Sequence, residues 1–265
     1  MSLRTIFLAI LTLCAAMPAG AGIVMREVQS SESPTGGQRR TVMELSAEGD
    51  GLRSDIIEST NDPMMPPGSY MLIPSDELFY IVNPKNKSYM QMDMAVMAGM
   101  QQQGQRMQGQ MKQQGASTSA ENLTVTKKVD EAGPVMLGMP TQHVLYEVSY
   151  RRPMGMQVAG MSNSVEVHAT YEIWATKGLE ARFAGIPALK RSASRMGAPG
   201  GGMPDLKEVT EAIGSRGFAL KKVVSSESKM HMGGPAPMML FAKGASQESK
   251  TSSEITEIRE QTLSP

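Results

Sequence analysis

Methionine is the residue whose spacing could do chemistry in this chain. Met90-x-Met92-x-Met94, Met154-x-Met156 and Met230-His231-Met232 set thioether sulfurs close together. Thioethers are soft donors that suit Cu(I), and by extension Ag(I). Met230, His231 and Met232 make the best metal candidate, because an imidazole joins the sulfurs in a stretch that reads as a loop. Methionine also has a second use, as unbranched filler for apolar surfaces that must adapt to their contents. The chain holds 25 Met against 5 Phe and 1 Trp. Three loose clusters do not make one metal site, so soft packing outweighs metal binding.

Other chemistry is thinly represented. The single cysteine, Cys14, lies in an apolar N-terminal segment, and there is no G-x-S-x-G elbow and no H-E-x-x-H pair. Ser residues sit in loops without a local partner. The run 197–202 lacks the Gly-Lys-Ser/Thr that grips phosphate. His168 shares a strand face with Glu166 and Glu172, which reads as a solvated outer face, and His143 shows no obvious partner. With 26 basic and 26 acidic residues the formal charge is +0, so no basic face invites nucleic acid. No catalytic residue and no cofactor is expected, and the chain reads as a non-enzyme.

The elements that must position these residues are mostly strands. In Val165–Trp174 the residues Val165, Val167, Ala169, Tyr171 and Ile173 fall on one face, and Glu166, His168, Thr170 and Glu172 on the other. His143–Tyr150 alternates in the same way. This is the pattern of antiparallel sheet with one dry and one wet face. Further strands are expected at 23–29, 41–46, 52–58, 69–73, 78–82, 88–92, 123–129, 218–227 and 254–262. Asp50-Gly51 and Asn83-Pro84 are turn signals. Helical spacing appears at 93–113, 177–190 and 206–213. In the first, Met97, Met100, Met107 and Met111 share an arc of roughly 80°. They are the candidate lining of a hydrophobic cavity. Leu179, Phe183 and Ile186 mark the second stretch. The third has an Asp205/Glu208 capping box and stops at Gly214.

Residues 1–21 read as a signal peptide, with Arg4 before a short apolar run and Ala19-Gly20-Ala21 as the cleavage pattern. A single domain is expected over 22–265, with flexible loops near 113–121, 196–204 and 230–238, and a periodic repeat is not evident. The location implied is the periplasm or the exterior.

ELFYIVNPKNKSYMQMD at 77–93, GPVMLGMPTQHVLYEV at 133–148, YEIWAT at 171–176, GFALKKV at 217–223 and SSEITEIREQ at 252–261 together resemble a bacterial family, the domain of unknown function 4412. That family is grouped with the LolA-like lipoprotein carriers and sensors of the envelope. The order and spacing of the segments carry the resemblance, which covers most of 22–265. Such chains often finish with an aromatic-Pro-Gly-aromatic tail where Leu263-Ser264-Pro265 stand here, which puts the end of the last strand early. The resemblance implies an α+β fold, a curved antiparallel half-barrel with a few helices covering its concave face. It also implies a lipid or other hydrophobic small molecule as ligand, and a lipoprotein or envelope protein as partner.

Overall fold

Alternation of side chains dictates the architecture. Around residue 170, Ala169, Tyr171 and Ile173 are buried while His168 is exposed, the period of a half-buried strand. The computed structural model describes residues 21–33, 37–60, 65–74, 78–93, 120–153, 162–180, 214–233 and 246–262, together with Val96, Gly99, Ile186 and Leu189.

Eleven strands run in chain order: β1 (Ala21–Ser33), β2 (Gly37–Glu48), β3 (Gly51–Ser59), β4 (Tyr70–Ile73), β5 (Leu78–Asn83), β6 (Ser88–Asp93), β7 (Glu121–Ala132), β8 (Gln142–Pro153), β9 (Ser162–Thr176), β10 (Phe218–Gly233) and β11 (Ser246–Thr262). They form one open sheet in the order β6-β5-β4-β3-β2-β1-β11-β10-β9-β8-β7. Neighbours are antiparallel throughout, and the first and last strands pair with each other in the middle.

The α+β class with helices over one face is overturned. The described elements are strands of a single sheet, and helical backbone is described only at Val96, Gly99, Glu180, Leu189 and Gly214. In the 177–190 stretch Glu180 and Leu189 have helical backbone, and residues 181–185, 187, 188 and 190 lie outside the described residues. Leu179, Ile186 and Leu189 are buried, so this stretch contributes core residues. The physical reason is that period-2 alternation, which favours a half-buried antiparallel sheet, governs the described elements, whereas apolar residues at helical spacing over short stretches are only a weak local preference. Apart from Val96 and Gly99, residues 94–113 lie outside the described residues, as does the whole of 206–213. Residues 1–20 and the loops 113–119 and 196–204 also lie outside them.

The apolar face carries two buried clusters. One joins Ile23, Met25, Leu45 and Ala47 of β1 and β2 to Phe218, Leu220 and Ile255, with Leu179, Ile186 and Leu189 packed on it. The other belongs to β8 and β9: Val144, Tyr146, Val148, Tyr150, Ala169, Tyr171, Ile173 and Ala175. Entry into β10 demands glycine. At Gly217 φ is +101°, and a Cβ there would stand 2.4 Å from the Thr176 carbonyl oxygen.

Candidate functional site

Cross-strand register assembles the apolar face into rows. Met25 opposes Leu45, Leu45 opposes Ser54, Ser54 opposes Met71, Met71 opposes Ile81 and Ile81 opposes Met90. Residues directly opposite in antiparallel strands share a face, so these six side chains form one line across β1–β6. Burial falls along it. Met25 is 1% exposed, Leu45 and Ser54 are buried, Met71 and Ile81 are half-buried, and Met90 is 44% exposed. A parallel row, Ile23, Ala47, Leu52 and Ile73, lies beside it. Phe79 and Met92, opposite each other on β5 and β6, share the face at the outer end. The filled core thus grades into a half-open wing of aliphatic and thioether side chains on β4, β5 and β6.

The same face holds an ionisable group at its centre. Glu27 is 6% exposed, and its Oε1 accepts from Gln29 Nε2 at 2.9 Å and from Ser253 Oγ at 2.5 Å. Those bonds offset the desolvation that burial imposes. Lys222, opposite Ser253 on β10, is half-buried. Burial pushes its ammonium below the ordinary lysine range, and the Glu27 charge only partly restores it. The β1–β11 register shifts between Arg26 and Glu27, with Thr256 as the extra residue on β11, and this bulge re-aims β11 at this point.

The opposite face is polar. Glu32, Lys250, Ser225, Thr170, Glu147 and Thr126 oppose one another in turn across six strands. With Glu248, Glu227, His168, Ser149 and Thr124 they line a hollow of about 780 Å³. Among its charged groups, Glu147 pairs with Lys128 at 3.0 Å. Glu227 pairs with Lys229 at 3.0 Å and accepts from Ser246, which hold it below the usual carboxylate range. Hydroxyl and charged side chains supply most of the residues around this hollow, with Val148 and Ala169 also at its wall.

Each histidine has a carboxylate partner. His143 Nε2 lies 3.0 Å from Glu172 and its ring stacks on Trp174, with centroids 4.7 Å apart at 5°. Glu172 is two strand positions from Trp174, but both partners lie on β9, out of reach of local sequence reasoning about His143. Only the shared outward parity of 143, 172 and 174 could have signalled the cluster. His231 and His168 both bond Glu166, at 3.1 and 3.2 Å, and hold its carboxylate below the usual range. Arg151, opposite Glu166 on β8, bonds Ser164 instead.

Of the candidate metal set Met230, His231 and Met232, the structure describes the side chains of Met230 and His231, which fall on opposite faces. They lie on β10, where successive residues alternate faces. Met230 opposes Val165 on the apolar side, whereas His231 reaches Glu166 on the polar side. The segment 230–233 is therefore strand, and the expected loop there begins no earlier than residue 234. Among the described residues no group of three or more His, Cys, Asp or Glu is arranged to hold a metal ion. The expected cavity methionines, Met97, Met100, Met107 and Met111, lie outside the described residues. Among those described, no helix is long and apolar enough to cross a membrane.

No family model matches the chain, so the resemblance to the domain of unknown function 4412 is not carried by a family match. No curated protein matches it either. Among solved structures, a LolA superfamily protein from Nitrosomonas europaea aligns over 94% of this chain and 89% of its own, at 8% identity and a TM-score of 0.26. Superposition at that level carries neither fold nor function across to this chain.

Proposed function

We propose that the chain is a non-enzymatic envelope protein, exported after cleavage near Ala21, that holds a lipid acyl chain or similar apolar molecule against the β1–β6 half of its apolar face. The observation that supports this reading is the graded row from Met25 to Met90. A purely structural core has no need of a half-exposed extension, and an extension built of Met71, Ile81, Met90 and Met92 offers adaptable apolar contact. Met97, Met100, Met107 and Met111 are proposed to add thioethers to the same guest. No step of chemistry is required of any residue.

The test places a charge on the wing. Met71→Asp and Ile81→Asp, both at half-buried positions, are expected to weaken binding of a solvatochromic apolar fluorophore by about tenfold or more, because each sets a carboxylate against the guest. Native mass spectrometry of protein purified from its own envelope is expected to show bound lipid in the wild type and loss of it in both variants. Undiminished fluorophore binding by variants that keep their circular dichroism spectrum would defeat the reading.

A further inference from the structure

The two edges of the sheet are built differently. On β7 stand Glu121, Lys127, Lys128, Asp130 and Glu131, and its pairing with β8 shifts register twice. Charge and irregularity are how edge strands avoid pairing with other chains. On β6 neither defence is present. Its register with β5 runs unbroken from Ser88 to Asp93, its one charged residue is Asp93, and Tyr89 and Met90 are 70% and 44% exposed.

This edge is complementary to itself. The segment Lys87-Ser88-Tyr89-Met90-Gln91-Met92-Asp93 has a cation at one end and an anion at the other. Laid antiparallel on a second copy with Met90 facing Met90, β6 sets Ser88 opposite Met92 and Tyr89 opposite Gln91, and brings Lys87, which closes the preceding turn at φ +49°, beside Asp93 at both ends. Parallel pairing would bring lysine to lysine and aspartate to aspartate. Residues opposed in the antiparallel register share parity, so the two copies turn the same face the same way. The row that ends at Met90 then continues into the second chain.

We propose that β6 is a homodimerisation edge, through which two copies join β6 to β6, antiparallel, about a twofold axis at Met90. The proposal goes beyond ligand binding and does not depend on it. The contact is isologous and uses both undefended edges, leaving β7 at each outer end, so assembly closes at two chains rather than extending into a filament. Exposed ion pairs add little affinity. Lys87 and Asp93 set direction and register, while the backbone ladder and the covering of Tyr89 and Met90 hold the pair.

Sedimentation velocity over a concentration series is expected to show a monomer–dimer equilibrium for the full chain. Lys87→Glu and Asp93→Lys each place like charges opposite one another twice per dimer, and each is expected to raise the dissociation constant about fivefold. The double variant Lys87→Glu/Asp93→Lys restores opposite charges and is expected to return to wild-type association. In a Cys14→Ser background, Met90→Cys is expected to give a disulfide-linked dimer under mild oxidation, since cross-strand neighbours lie within disulfide reach. A chain that stays monomeric throughout, a double variant weaker than either single one, or no cross-link from Met90→Cys would each overturn the proposal.

Discussion

At the scale of the residue, the most exacting position is Lys222, an ammonium half-buried in an apolar face. Its pKa is lowered chiefly by burial, so the unfolded chain holds this proton more tightly than the folded one. Stability contributed here therefore rises with pH between the depressed folded value and the ordinary lysine value. Lys222→Met is expected to abolish this rise of stability with pH, because no ammonium is left to titrate. The difference between variant and wild type is expected to shift in favour of the wild type as pH climbs through the window between the depressed folded value and the ordinary lysine value. Chemical denaturation at several pH values checks both the sign and the trend. Lys222 was not legible as special in the sequence, because GFALKKV shows two adjacent lysines and nothing in it says which one turns inward. Parity relative to the bulge between Ala219 and Lys221 decides that, and a bulge has no sequence signature here. His143 was opaque for a related reason, since its partners Glu172 and Trp174 come from the neighbouring strand. By contrast, the inward set Val144, Tyr146, Val148 and Tyr150 was legible in full, because alternation is written within one strand.

At the scale of the element, each of the eleven expected strands has its counterpart, most of them longer than expected, while β4 begins a residue later than the expected 69–73. β10 is expected over 218–227 and continues to Gly233. Its extension, Ser228–Gly233, is polar or methionine-rich and keeps its strand geometry by pairing with β9. Ladder bonds made to a neighbour are invisible to local pattern, which is why Met230-His231-Met232 reads as loop in isolation. The start of β10 is fixed by sterics. A Cβ on Gly217 would collide with the Thr176 carbonyl in a backbone conformation that suits only glycine. Gly217→Ala is thus expected to cost roughly 2–4 kcal/mol, more than an exposed turn substitution, because the strand must shift away from the end of β9. Urea denaturation measures it, and a loss within experimental error would show that the β9–β10 connection can relax.

At the scale of the molecule, the chain closes in the middle of its sheet. Ser253 bonds Glu27 across 226 residues of sequence, and β11 alone joins β1–β6 to β7–β10 in the strand order. The two buried clusters depend on that closure unequally. The first draws on β1, β2, β10 and β11 together, whereas the second is supplied by β8 and β9. A chain ended before Ser246 would leave Ile23, Met25 and Leu45 without Ile255, Phe218 and Leu220 across from them. The expected outcome is loss of amide protection throughout β1–β6, loss of apolar-probe binding, and residual protection confined to β8 and β9. Pairings this distant are also slow to form, so refolding of the intact chain should lag behind collapse, with protection of β1 and β11 appearing together. Hydrogen exchange resolved by peptide mass reads all of these. Protection of β1–β6 that survives removal of β11 would mean that the meander stands alone. The graded apolar row would then owe its burial to its own half of the sheet and not to closure of the chain.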